Sequence, residues 1–294
     1  MSDRPPPLLA IFAHPDDESF RAGGTLALLA RRGVHVYLLT ATRGEAGSCG
    51  DPPLCTLEEL PAVREAELHC ACAALGIEPP RLLDYCDGTL SDVDDEQGAA
   101  HVLTAVRELR PQALLTWPPD GLSGHPDHAA VSRWTALAFE QAGALGPDAP
   151  AALYHLAVPR SVAQALGLAH LHAAPDEEIT LAVDVTPVWE QKLAAIRCHR
   201  TQAGESPILT TSLERQRLFL GTEHFRRAAL RASPETTSEQ AKEWGRGEEL
   251  DLLLHSDARS LPSPPPGGIE GGADARSMSA RAGHGPESGK ELNT

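Results

Sequence analysis

Short apolar runs alternate with longer stretches of helical period along this chain, and the alternation leaves few folds open. Residues 8–13 (Leu-Leu-Ala-Ile-Phe-Ala) are apolar without a break and stop in a polar cluster, as expected of a parallel strand buried on both faces. A helix over about 22–32 follows, then a second strand at 34–40 (Val-His-Val-Tyr-Leu-Leu-Thr), which completes a βαβ unit. The pattern continues with a helix near 59–75, a strand at 81–84, a helix near 96–109, a strand at 113–117 and a helix near 127–143. Apolar segments at 152–158 and 178–185 and a helix at 187–199 extend it. Such repetition predicts a doubly wound, Rossmann-like α/β domain with a mostly parallel sheet and helices on both faces. That single domain is expected to span residues 1–232, with no internal repeat.

The composition then changes. Between 256 and 294, 18 of 39 residues are Gly, Pro or Ser, too little to bury, so this stretch reads as a disordered tail. Residues 233–255 hold Trp244 and a leucine-rich segment after Glu248-Glu249, which reads as an extension docking back on the domain.

Composition also narrows the partners. Lys+Arg 25 against Asp+Glu 41 gives a formal charge of −16 in 294 residues, which repels polyphosphate and points away from nucleic acid towards a small-molecule substrate. No apolar run approaches the roughly 18 residues of a membrane span, and the N-terminus, Met-Ser-Asp-Arg-Pro-Pro-Pro, lacks the layout of a secretory signal. A cytoplasmic protein is expected, with a homo-oligomer left open. Most of the six cysteines are expected to be reduced, small hydrophobic residues. Cys70 and Cys72 point to different faces of one helix, and Cys49 and Cys55, bracketing a Gly/Pro loop, are the pair that oxidation would join.

The chemistry concentrates in two places. Ala13-His14-Pro15-Asp16-Asp17-Glu18 directly follows the first strand, at the carboxyl edge where open α/β sheets bind ligands. His14 and Asp17 can converge on a metal across a turn stiffened by Pro15, which leaves Asp16 free. Gly124-His125-Pro126-Asp127-His128-Ala129 lies just beyond the strand at 113–117. Its two histidines offer a third ligand and a separate imidazole for proton transfer. Three protein ligands with an open position are how catalytic zinc is held. Either motif alone reads equally as a helix N-cap or turn; both at the same edge of one sheet favour the metal. There is no Gly-x-Gly-x-x-Gly after the first strand and no Gly-Lys-Ser/Thr loop to cradle phosphate, and Arg21-Ala-Gly-Gly-Thr offers only a tight start to a helix. A Gly-x-Ser-x-Gly elbow is also absent.

Together these motifs resemble the LmbE/PIG-L-like zinc deacetylases, which remove acyl groups from N-acylated amino sugars. The resemblance covers about residues 8–232, with weaker agreement at Thr42-Arg43-Gly44-Glu45-Ala46-Gly47, Arg64-x-x-Glu67, Tyr85-Cys86-Asp87-Gly88, and Lys192 through His199-Arg200-Thr201-Gln202. It implies His14, Asp17 and His128 as metal ligands and Asp16 as general base. His125 would steady the oxyanion or protonate the leaving amine, with Asp127 orienting it. Arg64 and Asp87 would meet sugar hydroxyls or an anionic substituent, although Arg64 reads equally as a surface partner of Glu67. His199 would lie by the pocket mouth or serve the structure. The expected ion is Zn2+, with Fe2+ as the alternative for two histidines and a carboxylate.

The expected activity is metal-dependent removal of acetyl from an N-acetylglucosaminyl conjugate, in the setting of low-molecular-weight thiol biosynthesis. Two alternatives stand beside it: an amidase cleaving a larger acyl group from an amino-sugar thiol conjugate, and a non-catalytic, metal-stabilised carbohydrate-binding protein. The intact Asp16 and His125 argue against the last. The loops at 43–60, 87–98 and 201–211 are expected to shape the aglycone end.

Overall fold

The computed structural model describes residues 5–204 and 206–231; the expected extension at 233–255 and tail at 256–294 lie outside them. In chain order the elements are β1 (Leu8–Phe12), α1 (Asp17–Arg21), α2 (Gly23–Arg31), β2 (Val36–Thr42), α3 (Leu60–Leu75), β3 (Arg81–Tyr85), α4 (Asp95–Leu109), β4 (Ala113–Thr116) and α5 (Gly121–Gly124). They continue with α6 (Pro126–Gln141), β5 (Ala152–Ala157), α7 (Arg160–Leu166), β6 (Leu181–Asp184), α8 (Trp189–Cys198), α9 (Arg200–Ala203), α10 (Leu213–Leu220) and β7 (Thr222–Leu230). One sheet runs in the order β3-β2-β1-β4-β5-β7-β6. The first five of these strands are mutually parallel, while β7 is antiparallel to both β5 and β6.

Every residue of β1 is buried, because both sheet faces are covered. Leu8, Ala10 and Phe12 pack with residues of α2, α3 and α8. Leu9, Ile11 and Ala13 pack with α4 and α6 on the other face. Strict alternation of side chains along a strand thus divides one apolar run between two cores. The expected doubly wound sheet is present, and the sequence reading omitted the short helices α1, α5, α7 and α9 together with α10 and β7. Among the described residues no helix is long and apolar enough to cross a membrane.

A buried ion pair and its hydrogen bonds join four of these elements. Lys192 of α8 is wholly inaccessible, and its Nζ donates to Glu223 Oε1 of β7 at 2.7 Å and to the Leu220 carbonyl at 2.8 Å. The Glu223 carboxylate also accepts from the backbone N–H groups of Gly24 (2.8 Å) and Thr25 (2.7 Å), capping the start of α2. Gly24 has no room for a side chain, since a Cβ there would lie 2.3 Å from Val185.

The cysteines depart in part from expectation. Cys70 of α3 is bonded to Cys198 of α8, whereas Cys49, Cys55, Cys72 and Cys86 are free. Cys70 and Cys72 do face differently: Cys72 sits in the core and Cys70 meets the neighbouring helix. A separation of 128 residues hid that partner from any local spacing.

Candidate metal centre and active site

The carboxyl ends of β1 and β4 adjoin where the strand order reverses, the crevice in which sheets of this kind receive ligands. Asp17, in the first turn of α1, folds its carboxylate back over β1. Its Oδ2 accepts from the backbone N–H of Ala13 at 3.1 Å and of His14 at 3.0 Å, and from Trp117 Nε1 at 3.1 Å. Its Oδ1 lies 3.5 Å from His128 Nε2. His128 stands in the first turn of α6, flat against the Trp117 ring at 3.9 Å and 3°. Its Nδ1 is 3.2 Å from the Gly121 carbonyl, which places the proton there and leaves a lone pair on Nε2. His14 Nε2 is 3.0 Å from Asp87 Oδ1 and 3.3 Å from Asp127 Oδ2, so its free lone pair is on Nδ1. That atom is 3.3 Å from His128 Nε2 and 3.8 Å from Asp17 Oδ2.

These spacings can be set beside those of a metal site. Ligand atoms bound about 2.05 Å from a tetrahedral zinc lie about 3.3 Å apart; His14 Nδ1 and His128 Nε2 stand at that separation, 3.3 Å, while the Asp17 carboxylate approaches them with different oxygens, Oδ1 3.5 Å from His128 and Oδ2 3.8 Å from His14. Two imidazole lone pairs facing each other at this distance need a proton or a cation between them. The electrostatics agree. Burial alone would lower the His14 pKa, but hydrogen bonds with Asp127 and Asp87 and the Asp17 charge outweigh it and raise the value to about 10. The centre is therefore built to hold positive charge at His14. Burial, aided by the repulsion of His14 and His125 and opposed by Asp17, lowers the His128 pKa and keeps its ring neutral.

Other side chains approach His14 as well, His125 with His128 in one group and Asp87 with Asp127 in another, with ligand atoms within 4.8 Å. The carboxylate oxygens facing His14 are already engaged, and so is one nitrogen of His125. His125 Nδ1 accepts from the Asp127 N–H at 3.2 Å, which leaves Nε2 as the nitrogen that carries the ring's proton. Asp127 accepts from Gly88 N–H at 2.8 Å and Leu90 N–H at 3.1 Å, and Asp87 Oδ2 from Ala46 N–H at 3.0 Å.

Asp16 adopts a left-handed conformation, φ 110°, which costs a non-glycine residue about 1–3 kcal/mol and persists only where its surroundings impose it. It occupies the N-cap of α1 without spending its side chain on capping. Burial pushes its carboxyl up to about 7, with Arg64 opposing and Asp17 assisting, a range suited to proton exchange at neutral pH.

The expected roles of Arg64 and Asp127 need correction. Arg64 is neither a surface partner of Glu67 nor open to a substrate: it is buried and donates to the carbonyls of Gly44 (2.6 Å) and Pro15 (2.5 Å) and to Asp16 Oδ2 (3.2 Å). Gly44, at φ +72°, makes room for it, since a Cβ there would lie 2.1 Å from Arg64 Nη1. Glu67 instead accepts from Thr201 N–H and Oγ1 at 2.9 and 2.7 Å. The Asp127 carboxylate orients His14 rather than His125, which meets only the Asp127 backbone. Asp87 likewise contacts His14. His199 does not line the cleft; it is fully buried against Glu18 at 2.7 Å. Trp117 was missed, although an indole at the end of a buried strand needs a partner for its N–H, and Asp17 is that partner.

Fold and site together define a member of the PIG-L family: the chain matches the family described as GlcNAc-PI de-N-acetylase over residues 9–139 and belongs to it. Its relatives include the 1D-myo-inositol 2-acetamido-2-deoxy-alpha-D-glucopyranoside deacetylase of Acidothermus cellulolyticus, 36% identical over 259 residues, covering 74% of this chain and 87% of the relative. The enzyme of the same description from Salinispora arenicola is 33% identical over 258 residues, covering 74% and 83%. Among solved structures, the N,N'-diacetylchitobiose deacetylase of Pyrococcus horikoshii shares the fold with a TM-score of 0.57 at 20% identity, covering 75% of this chain and 82% of that one.

Proposed function

We propose that this protein is a metal-dependent hydrolase that removes the acetyl group from the amino sugar of an N-acetylglucosaminyl conjugate. The conjugate we infer is an acetamido-glucosyl inositol, the compound named for the relatives, and the resemblance sets it in low-molecular-weight thiol biosynthesis. The observation that carries the reading is the facing pair of His14 Nδ1 and His128 Nε2 at 3.3 Å beside the Asp17 carboxylate, with the uncapping Asp16 on the same turn. A divalent ion held by those three residues, Zn2+ first and Fe2+ second, would polarise the acyl carbonyl and acidify water.

The chain's own residues do the rest. Asp16 takes the proton from the attacking water and returns it to the leaving nitrogen. His125, with its proton on Nε2, donates to the oxygen on which charge develops. Acetate and a free amine leave. Asp87 and Asp127 fix the His14 ring and its tautomer, and Arg64 acts on Asp16 rather than on the sugar. The larger-acyl alternative leaned on residues 233–255, outside the described part of the chain.

The test measures amine release from the acetamido-glucosyl inositol by zinc-loaded, iron-loaded and chelator-stripped protein, beside an analogue with a longer acyl chain. Release from the acetylated compound by a metal-loaded form, lost on stripping, is expected. Sugar binding without amine release under either metal would overturn the reading in favour of a binding protein.

A further inference from the structure

Next to Asp16 lies a buried cluster that the proposed chemistry leaves unused. Glu18, Ser19 and His199 have no exposed surface. Glu18 Oε1 accepts from Ser19 Oγ at 2.5 Å and meets His199 Nε2 at 2.7 Å. Its Oε2 accepts from the backbone N–H of Asp16 at 3.0 Å. A carboxylate sealed from solvent is costly unless every lone pair is used, and none of these contacts reaches the cleft.

We infer that Glu18 is a positioning residue for the general base, holding the Asp16 backbone in its left-handed conformation so that the side chain is presented to the cleft. The clamp is two-sided. On one side Glu18 grips the Asp16 N–H; on the other the Asp16 carbonyl accepts from Ser19 N–H at 3.0 Å and Phe20 N–H at 3.2 Å. Arg64 closes it through the Pro15 carbonyl at 2.5 Å. Rotating Asp16 to an ordinary negative φ would turn its N–H away from Glu18 and swing the carboxylate with it. His199 directly follows Cys198, which is tied to α3, so the cluster is anchored outside the loop it steadies. Three donors surround Glu18, and an amide offers a single acceptor oxygen. Glu18→Gln therefore gives up an acceptor on either the Asp16 side or the Ser19–His199 side of the arrangement without changing its size.

The inference rests on the proposed role of Asp16, and a double-mutant cycle separates the two. Glu18→Gln, Asp16→Asn and the double variant are compared in kcat, KM and bound metal. Glu18→Gln alone is expected to lower kcat by about 10- to 100-fold, as small misplacements of a reacting group do, with KM and metal content held. In the Asp16→Asn background the same change should alter kcat less than about twofold. An equal factor in both backgrounds, or metal lost together with activity, overturns the positioning role while leaving the base intact. If Asp16→Asn itself keeps full activity, the proposed base fails first. Should Glu18→Gln not fold, Ser19→Ala, which removes one donor from Glu18, takes its place in the same cycle with the same criteria.

Discussion

Asp16 and Asp17 carry the same side chain to different tasks because the backbone turns between them. Asp17 is gripped at Oδ2 by three N–H donors; in Asp17→Asn the amide oxygen satisfies them and the NH2 group faces His128, where it cannot ligate. That variant is expected to lose metal affinity by roughly 10²-fold or more, read as metal per chain after dialysis against a weak chelator. Asp16→Asn should keep its metal and KM while kcat falls roughly 10²-fold, the usual worth of a positioned base. Gly44→Ala should lower kcat by about tenfold with metal retained, since the added methyl displaces Arg64 and, through it, Asp16. Residues whose task is local could be read from the sequence: His14, Asp16 and Asp17 sit on one turn, and Pro15 betrays it. Residues whose task is set at long range could not. Asp127 reaches His14 across 113 residues and Arg64 reaches Pro15 across 49, and no spacing encodes either.

Among the elements, strands buried on both faces were legible as apolar runs, which is why β1, β2, β4 and β5 fall where expected. β7 was not. It carries Glu223, His224, Arg226 and Arg227 within nine residues, and one of its buried positions is a carboxylate, so hydropathy gives no sign of burial. What compensates is Lys192, a cation from a different element. Removing one partner of such a pair strands the other: Lys192→Met is expected to cost about 3–5 kcal/mol in chemical denaturation. Lys192→Met combined with Glu223→Gln should recover part of that loss, because the amide still offers an acceptor to the start of α2. A double variant no more stable than the single one would show that the charge is not the source of the penalty.

For the whole molecule, acid is the expected weakness. His155 is buried on β5 and neither ring nitrogen has a hydrogen-bond partner; burial, reinforced by the charge of Arg226 and opposed by Asp120, pushes its pKa down to about 4. The unfolded chain binds that proton near pH 6.5 and the folded chain does not. Its contribution is therefore complete above about pH 6.5 and is lost as the pH falls towards 4, by up to about 3 kcal/mol. His155→Phe should flatten the acid side of a melting-temperature profile; an unchanged slope would assign the acid limb to other groups. The capped start of α2 has a broader consequence. In doubly wound folds the helix following the first strand ordinarily receives the phosphates of a nucleotide, its bare N–H groups acting as an anion seat. Here α2, which follows β1 after the single turn of α1, has that seat filled from within by Glu223 of β7, locked by Lys192 and walled by Val185. The N–H groups of Gly24 and Thr25 are thus spent within the chain, and a nucleotide or sugar phosphate added at high concentration is expected to leave the melting temperature unchanged.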